Sequence, residues 1–123
     1  MKKWIPAAVT AAGAYLIAIA PRLYERPERM PKVYYAHRGL HDNISDAPEN
    51  SLAAFQKAVD AGYGIELDVQ MTADGKVVVV HDFNLKRISG VDKEIDQCTY
   101  EELQEYPIYG SAQRVPLFED VLK

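Results

Sequence analysis

GIELDVQMTADGKVVVVHD, residues 64–82, is the stretch on which the fold turns. Ile65, Leu67 and Val69 alternate with Glu66 and Asp68, the period of a strand with one apolar and one acidic face. Thr72-Ala73-Asp74-Gly75 carries the Asp-Gly signal of a tight hairpin turn. The valines at 77–80 form a run typical of a strand covered on both faces, and they lead straight into His81-Asp82.

Upstream, Val33-Tyr34-Tyr35-Ala36 is a short β-prone run that ends at His37-Arg38-Gly39. Residues 40–49 contain Asn43, Ser45, Asp46 and Pro48 and read as a loop. Asn50 or Ser51 caps a helix in which Leu52, Phe55, Ala58 and Val59 recur at helical spacing, and Gly62 ends it. Downstream, a polar stretch with Gly90 and Asp92 precedes Thr99, which starts a short helix with Glu102 as its capping-box partner. Leu103 and Tyr106 supply the apolar side of that helix. Val115-Pro116-Leu117 then leads into a helical start at 118–122.

Strand, helix, strand pair and further helices predict an α/β fold, a partial TIM-type (β/α) barrel spanning residues 32–123. A complete barrel needs roughly 200 residues or more, and about 90 follow residue 32, so the expectation is a truncated barrel without closure. Such an open half leaves a strand edge unpaired and helix faces uncovered, which predicts poor stability and weak or no activity for this chain alone.

Before the barrel, residues 4–20 carry no charge, with Lys2 and Lys3 ahead of them and Arg22 behind. A helix of roughly 17 residues spans about 25 Å, near the lower limit for a bilayer core. A cleaved signal peptide, with Ala18-Ile19-Ala20 as its site, and a buried soluble helix are the competing readings. Pro21 directly after the cut disfavours the first, and the cationic flanks disfavour the second. A single transmembrane anchor at 1–21 is therefore expected, followed by a juxtamembrane linker at 22–31 whose prolines suit neither helix nor strand. Arg22, Arg26, Arg29 and Lys32 outnumber the cations before the span, which leans the catalytic side toward the cytoplasm.

The 123 residues are 48% hydrophobic and 26% charged, with a net charge of -4. That composition suits one globular domain and offers no basic field for nucleic acid. Cys98 is the one cysteine, so no internal disulfide forms; it lies in a polar stretch and reads as an incidental thiol.

The chemistry lies where polar groups meet strand ends. His37 and Arg38 follow one strand, Glu66 and Asp68 share a face of the next, and His81 follows the third. In an α/β barrel such positions build the site. Paired carboxylates among apolar neighbours call for a hard divalent cation, calcium or magnesium. Two histidines near it suit general acid–base work, and a guanidinium suits a phosphate. Bland alternatives exist for each residue: Glu66 and Asp68 as a solvated strand face, Arg38 as a surface partner for Asp42, His41 as a structural residue.

Taken in order, Ala36-His37-Arg38-Gly39, Pro48-Glu49-Asn50-Ser51, Gly64-Ile65-Glu66-Leu67-Asp68-Val69, Thr72, Asp74-Gly75, Val78-Val79 and His81-Asp82 resemble the glycerophosphodiester phosphodiesterase family. The likeness continues through Val115-Pro116-Leu117, Glu119 and Val121-Leu122. The resemblance implies a TIM-type barrel, a divalent cation, and hydrolysis of glycerophosphodiesters to an alcohol and glycerol phosphate. By it, His37 and His81 are the catalytic acid–base pair, and Glu66 and Asp68 are metal ligands. Arg38 holds phosphate, with Glu49 and Asn50 lining the substrate site. It further implies a third glutamate ligand on a strand after Leu122, which this chain does not reach. Two other readings compete: a relative of phosphatidylinositol-specific phospholipase C, and a membrane-tethered module that binds lipid head groups or a partner without turnover.

Overall fold

The structure, a computed structural model, describes residues 10, 13–18 and 32–123. The chain divides into two units, Met1–Lys32 and Val33–Lys123. In the first, residues 10 and 13–18 are helical. The expected anchor at 1–21 lies mostly outside the described residues, and so does the linker at 22–31. Among the described residues, no helix is long and apolar enough to cross a membrane.

The second unit begins with β1 (Tyr35–His37), α1 (Leu52–Asp60) and β2 (Gly64–Glu66). β1 and β2 are parallel, in the register Tyr35↔Gly64, Ala36↔Ile65 and His37↔Glu66. A β–α–β connection explains the parallel pairing, since α1 supplies the crossover. Next come β3 (Val69–Met71) and β4 (Val77–Val79), antiparallel with Val69 opposite Val79 and Met71 opposite Val77. The Asp-Gly turn closes this hairpin as expected, with Gly75 at φ 75°. The other edge of β4 is met by residues 115–117, through Val79 N–H to Pro116 O at 2.9 Å and a bridge from Val78 to Leu117.

One expected strand across 65–69 is two in the structure. β1 ends at His37, and the Arg38 N–H takes the Glu66 carbonyl at 2.9 Å. Past that point the chain has no β1 partner and pairs with β4 instead. The valine run is covered at 78–80 and partly open at Val77.

α1 starts where Ser51 Oγ accepts the Ala54 N–H at 3.1 Å and donates to Pro48 O at 2.6 Å. Its buried face is Ala54, Phe55 and Ala58. Leu52 and Val59, expected on that face, are exposed. Ala54 lies on the covered side because the turn after β1 presses close: Leu40 N–H donates to Ala54 O at 3.0 Å. Gly39 sits at φ 83°, and a Cβ there would lie 2.9 Å from Ala54, so no other residue fits without displacing the helix.

Short helices follow: α2 (Lys86–Ser89), α3 (Tyr100–Leu103) and α4 (Phe118–Val121), with 3₁₀ turns at Ile95–Gln97 and Ile108–Gly110. The Thr99–Glu102 capping box at α3 forms as expected. α2 and the first 3₁₀ turn fall in the polar stretch before Thr99, and the second falls between α3 and Val115, where the sequence predicts no helix. They close over the main core, where Val78, Val80, Leu85, Ile88, Ile95, Cys98, Leu103, Ile108 and Val115 pack together. Cys98 is thus a core residue, 2% exposed, and not an incidental thiol on a polar loop. Cysteine packs as a small hydrophobe, and a polar sequence context hides that.

Candidate active site

His37 closes β1, and its register partner across the parallel pair is Glu66. Their side chains therefore share a face, with Nε2 4.0 Å from Oε2. Both are open to solvent.

Arg38 turns the chain at φ 58° and Asn50 at φ 54°. Non-glycine residues at such angles are uncommon and concentrate where a site holds them. Here the two turns are tied together, with the Asn50 N–H donating to Arg38 O at 2.9 Å. The result buries the Arg38 guanidinium between acids: Nη1 donates to Glu49 Oε2 at 3.1 Å, and Nε lies 3.5 Å from Asp68 Oδ2. That second approach is a charge contact without hydrogen-bond geometry, so Nε remains an unsatisfied buried donor. The surface pairing of Arg38 with Asp42 is absent among its contacts; Asp42 instead pairs with Ala47 in the loop.

Asn50 Nδ2 donates to Asp68 Oδ2 at 3.3 Å, while its Oδ1 is buried with no partner. Glu49 is nearly enclosed, its side chain 6% exposed. Its second oxygen accepts from Arg87 Nη2 at 2.5 Å. Burial pushes the Glu49 carboxyl up, but hydrogen bonds and charge from Arg87 and Arg38 outweigh it and hold the pKa below the ordinary value. Glu49 is thus an ionised brace between two guanidiniums.

The antiparallel register brings the end of β4 back beside the end of β2, with Val80 N–H donating to Asp68 O at 2.9 Å. His81 therefore opens into the same basin as Asp68, a cavity of about 1130 Å³ that Asp82, Phe83 and Arg87 also line. His81 Nδ1 lies 2.6 Å from Asp82 Oδ1. Asp82 also accepts from Arg87 Nε at 2.6 Å and Nη2 at 3.0 Å. The hydrogen bond from Arg87 leads the forces that hold the Asp82 carboxyl at about 2. At neutral pH Asp82 is then acceptor only, so Nδ1 carries the proton toward it and Nε2 is free.

Every candidate residue thus joins one line of contacts: His37 to Glu66, Glu66 to the Arg38 backbone, Arg38 to Asp68 and Glu49, Asn50 to Asp68, and Glu49 through Arg87 and Asp82 to His81. His41 lies apart from these contacts. Arg87 is the residue sequence reasoning missed. Its one signal is the apolar pair Leu85 and Ile88, three apart, which marks a helical turn inside an otherwise polar stretch. For a hard cation, Glu66, Asp68 and the unpartnered Asn50 Oδ1 offer oxygen donors of the right kind. Among the described residues, no group of three His, Cys, Asp or Glu side chains is placed to hold a metal ion. The carboxylate pair is thus a fitting but partial donor set.

Known proteins place the chain in a family. The profile of the glycerophosphoryl diester phosphodiesterase family matches residues 37–123. A glycerophosphodiester phosphodiesterase of Bacillus altitudinis is 41% identical over 101 residues, 76% of this chain and 40% of its own. Human lysophospholipase D GDPD1 is 35% identical over 111 residues, 80% of this chain and 34% of its own. A crystal structure of the Thermotoga maritima glycerophosphodiester phosphodiesterase superposes with a TM-score of 0.60 at 39% identity, over 76% of this chain and 39% of that one. An Oleispira antarctica phosphodiesterase, solved in complex with the product sn-glycerol-3-phosphate, superposes with a TM-score of 0.62 at 27% identity, over 72% and 38%. The chain spans 40% or less of the length of these curated relatives. Its α/β unit matches part of their barrel, and with the family profile running over residues 37–123 the chain belongs to the glycerophosphoryl diester phosphodiesterase family.

Proposed function

We propose that this chain carries the first part of the site of a metal-dependent hydrolase that splits glycerophosphodiesters into an alcohol and glycerol phosphate. The observation that supports it is the unbroken line of contacts from His37 and Glu66 through Arg38 to His81. The product found with the Oleispira relative is of the same class.

Arg38 takes a phosphate oxygen through the part of its guanidinium that Glu49 leaves open. Asp68 and Glu49 on its other side keep the cation oriented. His37 and His81 exchange protons with the nucleophile and the leaving oxygen, His81 through Nε2 because Asp82 occupies Nδ1. Glu66 and Asp68 hold a calcium or magnesium ion, which when bound neutralises charge on the phosphate. Glu49 braces the two arginines rather than meeting the phosphate, and Asn50 steadies Asp68 through Nδ2. Residues 1–21 anchor the protein as a single span, 22–31 link it to the barrel, and the catalytic side faces the cytoplasm. Resistance of the full chain to alkaline extraction from membranes checks the anchor.

The test is calorimetric titration with Mg²⁺ or Ca²⁺ of a complete barrel that contains residues 37–123, alongside glycerol phosphate release from glycerophosphocholine. Glu66→Ala is expected to lose metal affinity and product release together. His81→Ala should keep the metal and release product on the order of 10²-fold more slowly, or less. Unchanged metal affinity in Glu66→Ala overturns the ligand assignment.

A further inference from the structure

Arg87 lies outside every motif quoted from the sequence, yet its guanidinium is used on all sides. Nε and Nη2 donate to the two oxygens of Asp82, at 2.6 and 3.0 Å. Nη2 also reaches Glu49 Oε1 at 2.5 Å, and Nη1 donates to the Tyr109 hydroxyl. Tyr109 is itself held at φ 50°, an angle a bulky non-glycine residue rarely adopts. The side chain is 41% exposed, so burial of its own surface does not account for four acceptor contacts. We propose that Arg87 is a positioning residue: by gripping both oxygens of Asp82 it fixes that carboxylate against His81 Nδ1, and so leaves Nε2 as the one nitrogen free to exchange a proton.

The geometry supplies the argument. Asp82 follows His81 directly and stands in a loop, where a carboxylate alone would rotate. A planar guanidinium meeting both oxygens removes that rotation, which a lysine ammonium, a point charge, does not. Glu49 sets where the guanidinium sits, and Arg38 shares Glu49 from the other side. The orientation of the imidazole is thereby tied to the position of the Arg38 guanidinium, although the two follow different strands.

The inference rests on the proposed role of His81, but its test needs no turnover. Long-range proton–nitrogen correlation on the ¹⁵N-labelled full chain in detergent reads the tautomer of each neutral histidine. Loss of signals in His81→Gln assigns His81. In the native chain Nδ1 is expected to carry the proton and Nε2 none. Arg87→Ala is expected to give a mixture of tautomers while the methyl signals of Leu103 and Ile108 persist. Arg87→Lys should not rescue the native tautomer, and Asp82→Asn should abolish it. A native chain with the proton on Nε2, or an unchanged tautomer in a folded Arg87→Ala, overturns the proposal. Loss of the Leu103 and Ile108 signals in both Arg87 variants also overturns it, because Arg87 then braces the fold. Failure of the chain to hydrolyse any diester leaves these readings untouched, so the two proposals fail separately.

Discussion

A carboxylate pinned between a guanidinium and an imidazole is sensitive to acid. Asp82 titrates at about 2 against an ordinary 3.8, mainly through the hydrogen bond from Arg87. Because the folded value is the lower one, the stabilisation is fully present above 3.8 and is lost as pH falls through about 2. The side chain is 24% exposed, and the shift corresponds to something on the order of 2 kcal/mol. Urea midpoints measured over that pH range should therefore fall with acid in the native chain and fall less in Asp82→Asn. Glu49, also held low by its arginines, keeps part of the slope in that variant. At this scale much of the candidate grouping was legible. His37, Arg38, Glu66, Asp68 and His81 stand out because each falls at or just past the end of a β-prone run, where an α/β barrel builds its site. Arg87 did not, because its partners come from the 81–82 turn and from Glu49, and no spacing rule joins those positions.

Among elements, α1 depends on one hydroxyl. Ser51 Oγ accepts from the first turn and donates to Pro48 O, and the residue is fully buried. Ser51→Ala leaves both partners unpaired and should cost about 1–2 kcal/mol, read as a lowered thermal midpoint. The helix start, the Asp-Gly hairpin and the Thr99 capping box were all legible, since each is specified by neighbours in sequence. The break between β2 and β3 was not. It is set by where β1 stops, a fact that lies some thirty residues upstream and shows only once the strands pair. The exposure of Leu52 and Val59 was hidden for a related reason: apolar spacing marks a helix but does not say which of its sides meets the turn at Gly39.

Across the molecule, the main core is drawn from residues 78–115, and the β1–α1–β2 unit packs through Ala36, Ala54, Phe55 and Ala58. Leu103 is fully buried in the main core, so Leu103→Ala should lose about 2–5 kcal/mol. Cys98 gives a direct readout. Burial pushes its thiol up and shields it from reagent, so Ellman labelling should be slow in the native chain and faster in Leu103→Ala. The membership of residues 37–123 in a barrel family was legible from motif order alone. The packing of Cys98 was not, because burial here follows from how the 83–115 segment folds back on itself. That fold-back rests on helical turns of three or four residues, too short to leave a period.

The hairpin that returns β4 to Asp68 has a consequence of parity. Side chains along a strand point alternately up and down, so a one-residue slip between β3 and β4 would aim the imidazole of His81 out of the basin. Extra residues added at the 73–75 tip would leave the aim unchanged, because the ladder from Val69 to Val79 sets it. The tip is held for a different reason, by Ala73 N–H to Cys98 O at 2.9 Å and Tyr100 N–H to Asp74 Oδ1 at 3.0 Å, while the count of residues from that ladder to His81 is fixed by the aim itself.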